Sequence, residues 1–284
     1  MQLRTTKKLD ENQVARFNIF GFLSFPGLLV DCVDKIITAF EDVWASNGGG
    51  HYGKQHDGKL RSVIFPFADQ NEFLSSLLDD PRIHDIASTL CGEDFNYTSG
   101  DGNYYTGDTV WHSDGYNTRS GIPSFKMAFY LDSVKHDTGA LRVIPGSHRI
   151  GEPFADALEE NVKRSGRTLG LLPREIPSVT LESNPGDVLV FNHNIKHSSF
   201  GGSQNRRMFT MNFSERYPDD KLETLREQLG QEARFWIDRI HGDIMIRTAT
   251  PERMVHLQQI RENDTHLVEI SRRLRETMSE PARG

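Results

Sequence analysis

The sequence predicts a mainly β protein, an antiparallel sandwich or barrel with flanking helices, on three observations. Between about residues 95 and 216, short runs rich in β-branched and aromatic residues alternate with Gly, Pro, Asn and Asp breaks. Strands alternating with crossover helices would signal a parallel sheet, and this stretch lacks that rhythm. Before it, apolar residues recur at helical spacing; after Pro218 the chain turns charged and helical to about residue 279. The 284 residues include 36% hydrophobic ones and 24 Gly, enough for a sizeable core and too apolar for general disorder. The length suits one large domain, expected to span 1–284.

The elements follow in order. Asp10 reads as a helix N-cap with Gln13 at the reciprocal capping-box position, and Val14 and Phe17 give that short helix its apolar side. Gly21 closes it, and residues 22–25 form a strand ended by Pro26-Gly27. Asp31 is the expected cap of a second helix, in which Val33, Ile36, Ile37, Phe40, Val43 and Trp44 make one apolar stripe. Residues 47–62 read as a flexible surface loop. Its Gly53-x-x-x-x-Gly58-Lys59 resembles a phosphate loop, but Leu60 stands where Ser or Thr is needed and no strand leads in. Short helices around 70–79 and 81–91 complete an N-terminal helical part, 9–92. Strands are expected over 95–99, 103–106, 125–131, 141–144, 178–182, 188–191 and 208–213, with an inserted helix at 152–166. The helical C-terminal extension, 219–279, has a break near 248–251.

Composition narrows the function. The chain has 33 Lys+Arg against 40 Asp+Glu, a net charge of −7, which argues against a nucleic-acid partner. Cys32 and Cys91 supply neither a disulfide framework nor a CxxC zinc site. No apolar run approaches a membrane span, and the first eight residues lack the apolar centre of a signal peptide. The expected location is the cytoplasm, with no membrane partner.

His-x-Asp occurs twice, near what chance allows, so context must choose. His112 and Asp114 end a β-type run, where period 2 puts both side chains on one face. His241 and Asp243 lie in the helical tail, where residues two apart do not face each other, and read as polar helix surface. The first pair needs a third ligand, and after the strand at 188–191 both His193 and His197 have suitable parity. Two His and one carboxylate on one face of a metal, with open positions opposite, is the non-haem Fe(II) oxygenase arrangement. The helical His-Glu-x-x-His of many zinc hydrolases is absent. Arg206 and Arg207 open the last strand, and a guanidinium there can hold a carboxylate in bidentate fashion. Ser199 shares the face of His197 and can donate to the same carboxylate.

Trp111-His112-Ser113-Asp114, Phe129-Tyr130-Leu131-Asp132, the run from Gly139 to His148 containing Pro145-Gly146-Ser147-His148, Pro185-Gly186-Asp187, His197 and Arg206 fall in the order seen in the phytanoyl-CoA dioxygenase (PhyH-like) family. The sequence resembles that family over roughly residues 9–216. The resemblance implies a double-stranded β-helix (jelly-roll) core over about 95–216 and a single oxygenase domain. It also implies an Fe(II)/2-oxoglutarate-dependent dioxygenase that uses O2 and releases succinate and CO2. His112, Asp114 and His197 would bind iron. Arg206, helped by Ser199, would clamp 2-oxoglutarate, with Arg207 as the alternative, and Asn103 matches an amide that contacts this cosubstrate in some members. His148 reads as structural.

The expected reaction is hydroxylation of a small polar molecule such as an amino acid, betaine or amine-bearing organophosphonate. Arg119, in the loop five residues beyond Asp114, and Tyr105 are the expected substrate contacts; Lys59, Arg61, Arg142, Tyr104 and Tyr116 are further cationic and aromatic residues suited to such a ligand. A protein hydroxylase would favour a long open groove. A cupin-like metal- or sugar-binding jelly roll would not need Arg206 beside Ser199. A homodimer through the C-terminal extension is a further expectation.

Overall fold

Alternation along the central strands decides the architecture. A computed structural model of the chain describes residues 8–115 and 121–284. The helices and strands run α1 Glu11–Phe20, β1 Phe22–Phe25, α2 Val33–Ser46, β2 Ser62–Ile64, α3 Glu72–Ser76, α4 Pro81–Cys91, β3 Asn96–Tyr97, β4 Gly102–Tyr105, β5 Thr109–His112, β6 Ser124–Tyr130 and β7 Leu141–Val143. They continue with α5 Pro153–Asn161, α6 Ser165–Thr168, β8 Val179–Leu181, β9 Val188–Asn192, β10 His197–Ser199, β11 Arg206–Ser214, α7 Leu222–Gln231, α8 Asp243–Arg247, α9 Pro251–Asn263 and α10 Leu267–Thr277. The larger sheet runs β1-β9-β6-β11-β4-β2, with β3 added on β11; the smaller runs β5-β10-β7-β8. The strand pairs are antiparallel, as the jelly-roll expectation requires.

On the larger sheet Phe125, Met127 and Phe129 of β6 share a face with Phe209, Met211 and Phe213 of β11. The N-terminal helices cover that face with Ile36, Phe40, Val43, Trp44, Leu74, Ile83 and Ile86. Each such side chain contributes roughly 1.5–3 kcal/mol by leaving water, so this layer supplies much of the stability. The opposite parity of the same strands turns inward: Ala128, Tyr130, Leu189, Phe191 and Met208 meet Leu141, Val143 and Leu181 of the smaller sheet. Towards one end the inward residues become polar, with Lys126 paired in register to Asn212. There the space between the sheets opens instead of filling.

The capping box of α1 forms as expected: Gln13 N donates to Asp10 Oδ1 at 2.8 Å and Asp10 N to Gln13 Oε1 at 3.0 Å. Gly21 closes the helix at φ 84°. Asp31 does not cap α2. Cys32 occupies that position without a side-chain cap, and Arg82 Nη1 donates to Asp31 Oδ1 at 2.6 Å. A charged partner outcompetes backbone N–H groups for that carboxylate. Two strands, β2 and β10, lie outside the expected set: β2 begins in the stretch read as a loop, and β10 is three residues long and follows β9 after a four-residue turn.

The loop over 47–62 is packed down rather than free. His51 is buried, its ring nitrogens 3.1 Å from the Val63 and Pro281 carbonyl oxygens. His56 holds Ser62 Oγ at 2.8 Å and the Gln204 carbonyl at 2.7 Å. A Cβ at Gly50 would lie 2.1 Å from the Lys54 carbonyl oxygen, so only glycine fits that approach.

The C-terminal extension folds back on its own chain. Leu225, Leu229, Ile237, Ile240, Ile260 and Leu267 form a cluster within it, and His256 of α9 stacks on Phe95 at 3.7 Å. His241 is not helix surface, contrary to the sequence reading. It precedes α8, is buried, stacks over Tyr97 with centroids 5.8 Å apart, and donates from Nε2 to the Tyr97 carbonyl at 2.9 Å. The polar sequence around it hides this, because the apolar partner comes from β3 far earlier in the chain. Asp243 stands in the first turn of α8.

Burial pushes the His241 imidazole down to about 4. The unfolded chain, with an ordinary value of about 6.5, takes up a proton that the folded chain refuses, so this contribution to stability is lost as pH falls from about 6.5 towards 4. Urea unfolding at about pH 7.5 and about pH 5 should show acid destabilisation in the native protein and a smaller difference in His241→Phe. An unchanged difference would remove His241 as a source.

Candidate metal centre and its chamber

Strands β5 and β10 pair with His197 directly opposite His112. The two imidazoles share one local device. His112 donates from Nδ1 to the Val110 carbonyl at 2.8 Å, and His197 from Nδ1 to the Ile195 carbonyl at 3.0 Å. Both tautomers are thereby fixed with Nε2 unprotonated and available. The ring centroids lie 4.1 Å apart.

Asp114 reaches the same place by a different route from the one parity suggests. β5 ends at His112, and a turn follows, held by the opposite loop. Asp114 N and Gly115 N donate to the His193 carbonyl at 2.9 and 3.0 Å, and Ser113 Oγ to the Asn194 carbonyl at 2.9 Å. Asp114 Oδ1 then lies 3.6 Å from His112 Nε2, and Oδ2 lies 3.8 Å from His197 Nε2. One donor atom from each of the three residues falls within 4.8 Å of the others. The competitor His193 points its ring at Asn212, with Nε2 3.1 Å from Oδ1.

Electrostatics prepare the group for a cation. Burial, then His112, pushes His197 down to about 3, and burial, then Lys126, pushes His193 down to about 4. Burial would raise Asp114, but Lys126, His197 and His112 together hold it well below the usual carboxylate range. A neutral His197 imidazole and an ionised Asp114 carboxylate are the forms a divalent metal requires.

Arg206 is buried on β11, and its Nη2 donates to Ser199 Oγ at 3.0 Å. Its Nε and Nη1 are buried with no hydrogen-bond acceptor among the described residues. Gly139 and Gly202 make room for it: a Cβ would lie 1.6 Å from Nη1 at the first and 2.1 Å at the second. A buried guanidinium with two unpaired donors is costly unless an anion completes it. Arg207 faces the other way, its Nη2 2.6 Å from Asp132 and its Nη1 2.8 Å from Glu41. Asn103 is fully buried, accepts from Arg61 Nε at 2.8 Å, and leaves Nδ2 without an acceptor among the described residues.

His112, Asp114, His197, Ser199 and Arg206 line a cavity of about 950 Å³; Asn103 is not among its walls. Tyr105 lines it, with the Arg61 and Arg206 guanidiniums 4.3 and 5.0 Å from its ring centre. Arg61 is tied to Asp101 at 2.6 Å. Tyr104 points away and donates to Glu41 at 2.8 Å; Arg142 is buried beyond the cavity against Phe200, and Lys59 is exposed. Arg119 and Tyr116 lie outside the described residues. His148 lines the cavity but is held at Nε2 by the Asn18 carbonyl, 3.2 Å away.

Sequence reasoning missed two lysines. Lys126 sits on β6 with Nζ 2.8 Å from Asp114 Oδ2; a lone charge inside the apolar run 125–131 was the available signal. Lys196 is 2% exposed, and its Nζ lies 2.6 Å from Ser113 Oγ and 2.5 Å from Glu159 Oε2 of α5. It thus joins the residue before His197 to the residue between His112 and Asp114.

A jelly roll presenting two histidines, a carboxylate and a buried unpaired arginine has the build of an Fe(II)/2-oxoglutarate-dependent oxygenase. A sequence model of the phytanoyl-CoA dioxygenase (PhyH) family matches residues 32–209. The chain belongs to that family, and its cofactors are Fe(II) and 2-oxoglutarate, with O2. Among solved structures, the chain is similar to the non-heme α-ketoglutarate-dependent carbocyclase SnoK from nogalamycin biosynthesis (20% identity, 73% of this chain and 84% of that one, TM-score 0.58). It is similar also to EctD from S. alaskensis in its apoform (23%, 75% and 80%, 0.57). HygX from Streptomyces hygroscopicus, with nickel and 2-oxoglutarate bound, aligns at 17% identity over 74% of this chain and 89% of that one, TM-score 0.58. No curated protein sequence matches the chain. Among the described residues no helix is long and apolar enough to cross a membrane.

Lys196→Met should weaken metal binding, because Ser113 and with it the turn carrying Asp114 lose their anchor. The double variant Lys196→Met/Glu159→Gln should regain thermal stability by removing a carboxylate left with only the longer Lys163 contact, yet still bind Co(II) or Ni(II) weakly in a spectrophotometric titration. Native metal affinity in both variants would show that the lysine serves the fold alone.

Proposed function

We propose that the protein hydroxylates an unactivated C–H bond of a small polar molecule, of the amino acid, betaine or organophosphonate kind, with succinate and CO2 as co-products. In this reading His112, Asp114 and His197 hold Fe(II), and Arg206 with Ser199 holds the distal carboxylate of 2-oxoglutarate. Iron, 2-oxoglutarate and O2 together supply the oxidising power. The protein's own residues bind, orient and keep water out.

The observation that carries this reading is Arg206. It lines the same cavity as the three potential ligands, and two of its guanidinium nitrogens are buried without acceptors among the described residues. A dicarboxylic 2-oxo acid fits both ends of that arrangement: one carboxylate on the guanidinium, the 2-oxo acid end on a metal. A non-catalytic metal- or sugar-binding jelly roll gives no reason to bury the arginine there.

The small-molecule reading is favoured over a protein substrate by the roof of the cavity. Gln228, Glu232 and Phe235 of the C-terminal extension line it, making a chamber and not a long open groove.

Asp114→Ala should abolish 2-oxoglutarate turnover while leaving the circular dichroism spectrum unchanged, since its side chain takes no part in the β5–β10 ladder. Full activity in that variant would overturn the iron assignment. Arg206→Ala should weaken 2-oxoglutarate binding by about 2–5 kcal/mol, the usual cost of removing one partner of a buried charge pair. The readout is the visible charge-transfer band of the anaerobic Fe(II) complex. Arg207→Ala should lower the melting temperature, through loss of Asp132 and Glu41, and leave that band intact; the reverse pattern would move the clamp to Arg207.

A further inference from the structure

The chamber carries two charged groups, Lys126 and Glu232, that are neither candidate metal ligands nor part of the 2-oxoglutarate clamp. Its cations sort by what already neutralises them. Arg61 is held by Asp101 and Asn103. Arg206, in the reading above, belongs to 2-oxoglutarate. Lys126 is ion-paired with Asp114, at 2.8 Å. Once that carboxylate ligates a dication its negative charge is shared, and the ammonium beside it becomes a receptor for another anion close to the reacting centre.

On the roof, Glu232 faces the same chamber. Among the described residues its carboxylate accepts no hydrogen bond, and its ion pair is with Arg234 at 3.7 Å. Arg234 is itself 40% exposed and lies over the Phe235 ring at 4.7 Å. Burial raises the Glu232 carboxyl, while Arg234 and Lys126 pull it down. An ammonium in the chamber would supply a closer partner than Arg234. Phe65 and Phe235, stacked with centroids 5.0 Å apart, add an apolar wall for methylene or N-methyl groups.

We propose that Lys126 and Glu232 are the two poles of the substrate site, and that the substrate is a small zwitterion whose acid group meets Lys126 and whose ammonium meets Glu232. A singly charged ligand would engage one pole only, which is how the chamber selects against it. The acid pole lies within the family-matched segment, 32–209, and the amine pole in the extension beyond it. This rests on the reading of the chamber as an Fe(II)/2-oxoglutarate site.

The test uses full-length protein loaded with Ni(II) and 2-oxoglutarate, which cannot turn over. Short aminoalkanoic and aminoalkylphosphonic acids are titrated calorimetrically, each beside its N-acetyl counterpart and its ester. At least one zwitterion should bind, with both singly charged counterparts about tenfold weaker or more. Glu232→Gln should remove the discrimination against the N-acetyl compound and leave 2-oxoglutarate affinity unchanged, and Lys126→Met should remove that against the ester. Discrimination unchanged in Glu232→Gln, or no binding by any compound while 2-oxoglutarate still binds, overturns the proposal. Loss of Ni(II) affinity in Lys126→Met with selectivity intact makes that lysine a holder of Asp114 and overturns the acid pole. Failure of the native protein to bind 2-oxoglutarate at all would instead strike the reading beneath it.

Discussion

The antiparallel pairing that sets His112 against His197 is the constraint on which the site depends. Two three- or four-residue strands, β5 and β10, bring together side chains 85 positions apart in the chain. In each case the carbonyl two residues earlier in the chain orients the imidazole. The donor atoms are therefore aimed by backbone before any ion is present, and the ordering cost of assembling a metal site falls on folding, not on binding. Asp114 completes the set only because the turn at 193–194 grips its backbone, so the ladder and the loop must form together.

Charge is managed in layers around this point. Lys126 steadies Asp114 directly. Behind it, Lys196 is a nearly inaccessible ammonium that links Ser113 to Glu159 on the inserted helix. On the far side Arg207 is fully engaged with Asp132 and Glu41, while its neighbour Arg206 is left with two idle donors. Adjacent arginines on one strand point to opposite faces, and their partners make them different devices: one staples the outer surface, the other waits for an anion.

The helices serve the site by freeing the inner face of the larger sheet. Because α2, α3 and α4 bury the Phe125, Met127, Phe129 parity, the other parity need not fill a core along its whole length. Lys126, Thr210 and Asn212 can then face a cavity at one end. The C-terminal extension adds Gln228, Glu232 and Phe235 to the wall of that cavity, so the part of the chain outside the family-matched segment helps shape the chamber.

The sequence by itself determined the fold class, the strand-rich middle and its helical flanks, because period-2 and period-3.6 patterns are local consequences of which face is buried. It also supplied the residue types of the site, since His-x-Asp at a strand end, a later histidine and an arginine opening the last strand lie in readable order. The tertiary structure decided what depends on partners distant in sequence. It turned His193 aside to Asn212, sent Asp31 to Arg82, buried His241 under Tyr97 and pinned the loop at 47–62 through His51. It also separated Arg206 from Arg207, which strand parity alone left open. Lys126 and Lys196 stayed hidden for the same reason: a lysine reads as surface until the fold shows the carboxylate beside it, and that pairing is made by long-range contacts that no local pattern encodes.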